Sequence, residues 1–503
     1  MSRLIPLWDG FHYFDHQIKG IEWMLEKERD GTDVPRRSGS GTVKVFGGLQ
    51  CDDMGLGKTM QITAAMVNHP LDTTLLLAPL AMIQTWTEVC IRAGLLVFHV
   101  SPKGGCRWEC VNSDESLMDV RPHFDDIRPE VYITNYQKLY TQPGTFQLGW
   151  DRMVMDEAHN IRNPEGEMAY WARKLHAPIR WAVTGTPLVN SLRDVVSLLA
   201  FLGVPHSPLW RWEPHLATAL PDLVIHRSLD SLRSVIRDAP PHPIITELSL
   251  EFDSEEEEEF YYGVQGSTES MVKKYSRDQL SMAEAFKMLL RLRQLSVHPQ
   301  IYINAKRRED RGYDRPNWFK SSTKMNAVAD LIRKDEGDGE VHRYILFCQF
   351  TEEMMLFREF LLVEDLVKDE NILQYDGSLS HAERTAVLEY SKTTTERTVL
   401  LLQIQAGGVG LNLQEYDRII FISPWWTAAL RNQAIARAVR MGQKKVVHVY
   451  HLKLAVEEDE DIIGIDQLVN GKAEEKQKML DKLFAMCEKK EEEESEEKEN
   501  KKK

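Results

Sequence analysis

Two segments carry residue types that can do chemistry together: DDMGLGKT at 52–59 and DEAH at 156–159. In the first, a glycine-bearing loop opens onto the helical stretch TMQITAAMV, where backbone amides at a helix N-terminus can cradle phosphate. Gly55 and Gly57 allow close backbone approach, Lys58 can reach the β- and γ-phosphates, and the Thr59 hydroxyl can bind Mg²⁺. Asp53, Met54 and Leu56 complete the loop. The simple pattern GxxxxGK[ST] is not met, because position 52 is Asp; alone, the loop also reads as a turn followed by a helix. In the second segment, Asp156 at a strand end can hold Mg²⁺ through water, and Glu157 can orient or deprotonate an attacking water. Alone, the two are a pair of surface acids in a chain with 77 of them. A Lys-Thr loop followed about a hundred residues later by DEAH, both at strand ends, points to nucleoside triphosphate hydrolysis.

These residues must be held by strands. TLLLAP (74–79), VYITNY (131–136), RMVMDEA (152–158) and RWAVTGT (180–186) are apolar runs that end in small or polar residues. RYILFCQF (343–350), TVLLLQ (398–403), RIIFISP (418–424) and VVHVYHL (446–452) repeat the pattern. Alternation with amphipathic stretches implies α/β folding, with parallel sheets, flanking helices and ligand sites at the carboxyl ends of strands. Two copies of one layout predict two similar lobes, 1–237 and 238–487, followed by a disordered charged tail, 488–503. Residues 195–235 are expected to form a helical extension of the first lobe and residues 246–325 a helical insertion in the second. DAPPHPII (238–245) reads as an extended crossing, because proline blocks helix. Residues 103–119 read as an insertion and 307–318 as a polar loop.

The chain has 503 residues and a net charge of −15, so any nucleic-acid site must be a local basic groove on an acidic body. The tail does not cause the acidity: residues 488–503 hold eight acids against six lysines. No run of eighteen apolar residues predicts a membrane span, and the N-terminus lacks the pattern of a secretory signal. Six scattered cysteines form no CxxC pair, and only Cys106 and Cys110 are close. Free thiols in a reducing compartment are the expectation.

The second half supplies AGGVGLNL (406–413) and QAIARAVRMGQ (433–443). Arg437 and Arg440, three apart, can share one helical face and stabilise charge on a transferring phosphoryl group; they also read as a solvated helix face. Taken in order, HQIKGIEWM (16–24), GGLQCDDMGLGKTMQ (47–61), LLLAPLAMIQTWTEV (75–89), DEAHNIRN (156–163) and TGTPLVNSLRDVVSLLAFL (184–202) resemble the Swi/Snf-type ATPases of helicase superfamily two. LLRLRQLSVHP (289–299), ILFCQF (345–350), YDGSLS (375–380), AGGVGLNL and SPWWTAALRNQAIARAVRMGQ (423–443) continue the resemblance, which covers residues 10 to 485. LLRLRQLSVHP and the WW…QA…R…R.GQ block separate it from RNA-unwinding DEAH enzymes.

The resemblance implies two RecA-like lobes that hydrolyse ATP with Mg²⁺ and move along double-stranded DNA without separating the strands. It implies adenine recognition by Gln17, phosphate and Mg²⁺ binding by residues 53–59, and Mg²⁺ and water activation by Asp156 and Glu157. Thr184, Gly185 and Thr186 would couple nucleotide to lobe movement. Gly410 and Asn412 would complete the pocket, and Arg437 and Arg440 would be arginine fingers with Gln443 nearby. Thr134, Tyr136, Gln349, Gly377, Ser378, Gly407 and Gly408 lie in motifs that line the DNA groove. Nucleosomes or other DNA-bound proteins are the implied partners, and the nucleus, or the site of viral DNA replication and transcription, the implied location.

The chain departs from the family pattern at Asp53 (usually Glu), Ile404-Gln405 (usually Ser/Thr-Lys/Arg), Trp426-Thr427-Ala428 (usually Trp-Asn-Pro) and His226-Arg227 (usually Arg-Arg). QIQAGG and SPWWTAAL are similar to variants in fungi and large DNA viruses, near the repair-associated branch. No Cys/His array marks a zinc RING. A helicase acting on RNA or single-stranded DNA and a catalytically silent DNA-binding scaffold are the rival readings.

Overall fold

The computed structural model describes residues 4–35, 41–102, 106–112, 128–204, 220–233, 236, 239–275, 282–404, 411–456 and 464–500. The chain forms two compact units, Met1–Arg237 with Lys476–Lys503, and Asp238–Glu475. Both are sheets flanked by helices, as the apolar runs require.

In the first unit the strands are Thr32–Pro35 (β1), Thr42–Gln50 (β2), Thr73–Ala78 (β3), Leu96–Val100 (β4), Trp108–Cys110 (β5), Glu130–Asn135 (β6), Arg152–Asp156 (β7), Ile179–Val183 (β8) and Val224–Ile225 (β9). Their order is β1-β2-β8-β7-β3-β6-β4-β5, with β9 also on β2. The pairs β1–β2 and β4–β5 are antiparallel and the others parallel. The central strands are apolar on both faces because both faces are covered: Leu75 and Leu77 join one buried cluster, Leu76 and Ala78 the other.

One expectation changes here. The region 195–235 is not helical throughout. Between the helix Leu192–Phe201 and the short helix Leu229–Leu232 lies β9, paired with Leu49 and Gln50 of β2. Part of the 103–119 insertion is β5, an antiparallel edge strand whose pairing with β4 satisfies its backbone; residues 103–105 and 113–119 lie outside the described residues.

Beneath this sheet, the fully buried Arg152 donates through Nε to Glu28 (2.7 Å), and Trp181 Nε1 donates to the same carboxylate (2.8 Å). His69 Nδ1 lies 2.6 Å away. Burial alone would push the Glu28 carboxyl up; the Arg152 charge and the three hydrogen-bonding partners outweigh it and hold it at about 2. A depressed carboxyl stabilises the fold above its unfolded value and loses that contribution as pH falls towards the folded value. Wild type should therefore lose on the order of 3 kcal/mol between about pH 5 and pH 2 through this group. Glu28→Gln should flatten that part of the curve. Equal slopes for both proteins in denaturant unfolding across this range would refute it.

In the second unit Ile244–Leu250 (β10), Arg343–Cys348 (β11), Ile372–Tyr375 (β12), Thr398–Gln403 (β13), Arg418–Phe421 (β14) and His448–Leu454 (β15) pair in parallel, in the order β10-β15-β14-β11-β13-β12. The stretch 246–325 therefore begins as a strand, not a helix. Seven residues of β10 register with β15, continuing the extended Pro-rich segment before it. The helices of this stretch are Glu255–Tyr275, Met282–Val297, Pro299–Glu309 and Thr323–Asp335.

The tail also differs from expectation. One helix, Ile465–Asn500, runs through it, and Lys476 onward belongs to the first unit rather than the second. Leu480, Leu483 and Phe484 join the core of that unit, and the Phe484 ring stacks on His226 at 3.5 Å. Glu and Lys are good helix formers, which suits the charged continuation. Residues 501–503 lie outside the described residues.

Candidate nucleotide site

The sheet order places the two chemical segments together. β2, which precedes the phosphate loop, lies beside β8, and β8 beside β7, which ends in Asp156. Val183 registers with Gln50 on one side and Asp156 on the other. The loop, Thr184–Thr186 and DEAH thus leave the same sheet edge side by side.

The loop needs its glycines. Gly55 and Gly57 have φ of 89° and 78°, and a Cβ on Gly57 would lie 2.4 Å from Gln17 Nε2. The helix Lys58–Asn68 starts at Gly57, so the amides of the first turn face the loop. Lys58 Nζ donates to the carbonyls of Asp52 (2.7 Å) and Asp53 (3.2 Å). A Cβ on Gly185 would be 3.6 Å from Lys58 Nζ, which sets the 184–186 turn against the loop. Gln17 is buried, with Nε2 on the Leu56 carbonyl (3.3 Å) and Oε1 accepting from Phe14 N (3.1 Å). Gln61 Nε2 donates to the same carbonyl (3.2 Å) and the His16 ring lies 3.1 Å from it. Thr59 occupies the first helical turn beside Lys58, and Met54 lies near Gly185.

Asp156 is buried. Its Oδ2 accepts from Trp86 Nε1 (2.7 Å), its Oδ1 from Glu157 N (3.0 Å), and its carbonyl from the Tyr136 hydroxyl (2.5 Å). Burial and neighbouring Glu157 raise its carboxyl above the usual range, against the Trp86 hydrogen bond and the Lys58 charge. A carboxylate so poised is stabilised by a cation, so the donor chemistry of Asp156 and Thr59 fits Mg²⁺. Glu157 adopts a left-handed backbone, φ 50° and ψ 51°, strain of the kind that collects at functional sites. His159 Nδ1 lies 3.3 Å from Glu157 Oε2, 3.2 Å from Thr184 Oγ1 and 3.4 Å from Thr186 Oγ1. One imidazole thus joins DEAH to the 184–186 turn.

Several residues depart from their expected places. Thr134 and Tyr136 are both 4% exposed. Tyr136 holds the β7 end from within the core rather than lining a groove. Arg437 and Arg440 do not share a helical face: the helix Ala428–Ile435 ends first, and tight turns follow as Arg437 N bonds Ala434 O and Ala438 N bonds Ile435 O. The cause is tertiary, because the Arg437 carbonyl accepts from Leu413 N (3.1 Å). Arg437 is buried, and Arg440 NH1 donates to the Leu411 carbonyl (3.4 Å). Gln443 Nε2 donates to the Gln414 carbonyl (2.8 Å).

In the second unit Gln349 and Gly377 follow β11 and β12, which flank β13. Gln349 Nε2 donates to the Pro424 carbonyl (3.2 Å), and Ser378 N and Oγ donate to Asp376 Oδ1. Asn412 is exposed. Gly407, Gly408 and Gly410 lie outside the described residues.

Sequence reasoning gave no site role to Arg227. The residues after β9 return to the loop: Arg227 Nε and NH2 grip the fully buried Asp52 carboxylate, and NH2 also donates to Gln61 Oε1 (2.8 Å). Asp53 N donates to the Arg227 carbonyl, and Leu229 N to Asp53 Oδ2. The signal was the His226-Arg227 departure, together with a loop Asp that needs a cation if buried. Trp86 was likewise given no role; the available signal was a core indole that must donate somewhere.

Comparison with known proteins adds the lineage. The model of the SNF2-related domain matches residues 16–301, and that of the helicase conserved C-terminal domain residues 323–442. A probable global transactivator of Orgyia pseudotsugata multicapsid polyhedrosis virus is 28% identical over 95% of this chain and 93% of its own. The ISWI chromatin-remodeling complex ATPase ISW2 of Saccharomyces cerevisiae is 25% identical over 90% of this chain. The chain spans 40% of that relative's length but nearly all of the viral one. Among solved structures, the Sulfolobus solfataricus SWI2/SNF2 ATPase core in complex with dsDNA matches at 22% identity and TM-score 0.39, covering 90% of each chain. Among the described residues no helix is long and apolar enough to cross a membrane.

Proposed function

The chain belongs to the SNF2-related family and carries its helicase-like ATPase domains, and from that premise we propose that it couples ATP hydrolysis to movement along double-stranded DNA without separating the strands. The observation that carries the proposal is the common sheet edge from which the phosphate loop, the 184–186 turn and DEAH emerge. Lys58 exchanges its loop carbonyls for the β- and γ-phosphates. Thr59 and Asp156 would hold Mg²⁺, which would supply positive charge to the phosphoryl oxygens. Glu157 orients the attacking water and takes its proton. His159, within reach of Glu157, Thr184 and Thr186, passes the change at the phosphate to the turn. Gln17 reads adenine by trading its Leu56 contact for the base.

In the second unit Arg437 and Arg440 supply positive charge to the transition state, with Gly410 and Asn412 beside the nucleotide. Gln349, Gly377, Ser378, Gly407 and Gly408 contact DNA phosphates, which position a protein without reading sequence. DNA-bound proteins, nucleosomes among them, are the proposed objects of that movement; the yeast relative's name, a chromatin-remodeling complex ATPase, supports a chromatin substrate. The proposed place of action is the nucleus, or the site of viral DNA replication and transcription; the viral relative's name, a probable global transactivator, supports a transcriptional setting.

Steady-state hydrolysis, measured without nucleic acid and with duplex DNA, single-stranded DNA or RNA at several salt concentrations, tests this. Strong stimulation by duplex alone, weakening as salt rises, is expected. A rate highest on RNA or single strands would replace the duplex translocase with a strand-separating helicase. ATP binding without turnover under any condition would leave a scaffold.

A further inference from the structure

LLRLRQLSVHP is one of the blocks that carry the family resemblance, yet none of its residues has a role in the mechanism above. In the second unit it forms the end of the helix Met282–Val297 and the start of the next. His298 caps that second helix, its Nδ1 accepting from Gln300 N (3.0 Å). Ser296 Oγ donates to Asp466 Oδ1 (3.4 Å), and Asp466 pairs with the buried Lys324 (2.7 Å). Lys324 Nζ in turn donates to Ser423 Oγ (2.9 Å). The block is thereby tied to the start of the segment Ser423-Pro424-Trp425-Trp426.

Arg293 makes the most specific contact of this kind. Its guanidinium lies 5.6 Å from the Trp425 ring centre and 5.3 Å from that of Trp426, both within cation–π range. Its NH2 donates to the Pro424 carbonyl (3.4 Å), the carbonyl that also accepts from Gln349 Nε2 (3.2 Å). Glu353 fixes the other side of Gln349, accepting from the backbone N of Gln349 (2.7 Å) and of Phe350 (3.0 Å). The two indoles pack into different buried clusters, Trp425 with Ile419 and Phe421, Trp426 with Leu454 and Val456. One planar cation therefore bridges two aromatic anchors and the carbonyl that orients Gln349. An ammonium on a flexible stem cannot match that fork.

We propose that Arg293 is a positioning residue for duplex engagement: clamped by Trp425 and Trp426, it sets the Pro424 carbonyl and so the direction of the Gln349 amide. This rests on the duplex-translocase reading. It assigns the LLRLRQLSVHP block to the DNA response rather than to nucleotide binding.

The test uses the full chain and a blunt DNA duplex as titrant. Arg293→Ala should raise the duplex concentration for half-maximal ATPase stimulation about tenfold, while KM for ATP shifts less than about twofold. Arg293→Lys should recover only part of the loss. Trp425→Phe with Trp426→Phe should weaken activation too, and adding Arg293→Ala to that pair should cost less than in wild type, because the three side chains act as one unit. Full additivity in that cycle would show that Arg293 does not act through the indoles. Unchanged duplex activation in a folded Arg293→Ala protein would overturn the proposal. So would equal changes in KM for ATP and in duplex activation. If Arg293→Ala does not fold, the Lys variant decides, with wild-type activation overturning the proposal. Wild type unstimulated by duplex sinks the translocase reading and this inference with it; stimulated wild type with an indifferent Arg293 sinks the inference alone.

Discussion

Glu157→Gln is expected to lower kcat for ATP hydrolysis by about 10²–10⁴-fold, the range for removing a positioned general base. The amide keeps the size of the side chain and loses the proton acceptor. ATP binding should survive, because Lys58 and the loop amides sit on different elements, and the variant should trap the nucleotide-bound state. The strained backbone of Glu157 makes the choice of Gln important. Gln keeps the side-chain volume at this position, and the Asn160 contacts, made to the backbone carbonyl of residue 157, stay in place. Rapid-quench hydrolysis and a fluorescent ATP analogue separate the two effects. Hydrolysis within about threefold of wild type would remove Glu157 from the chemistry and leave water activation to another group.

Under the proposed mechanism Arg437→Ala should be costlier still, roughly 10³–10⁵ in rate, as for arginine fingers elsewhere. KM for ATP should move little, since the charge acts on the transition state. The side chain is buried, so thermal unfolding must accompany the kinetics. Arg440 provides the comparison. Burial lowers its pKa, and its NH1 is committed to the Leu411 carbonyl (3.4 Å), so Arg440→Ala should combine a catalytic loss with a stability loss. An Arg437→Ala protein that folds and hydrolyses normally would leave Arg440 as the sole candidate.

Much of the site was legible because it is local. Gly55, Gly57, Lys58 and Thr59 are consecutive or nearly so, and a loop feeding a helix N-terminus has one geometry wherever it occurs. Asp156 and Glu157 were legible because a strand end fixes where its last residues lie. Arg437 and Arg440 were legible as a pair but misplaced, since i, i+3 spacing defines a face only while the helix continues. The Leu413 contact that ends the helix regularity comes from outside it.

By itself the sequence determined the apolar strands, the phosphate loop, the DEAH end and the two-sheet layout, because each follows from residue types within a few positions. Only the tertiary structure decided which partners buried polar groups receive. Arg227 reaches Asp52 across 175 residues, Trp86 reaches Asp156 across 70, and Tyr136 is turned inward to the Asp156 carbonyl. The same holds for Arg293 with Pro424 and for the charged tail, whose Leu480, Leu483 and Phe484 find a core. A buried donor or acceptor must be paired, but spacing along the chain does not say with whom; the sheet order that carries distant strand ends to one edge does.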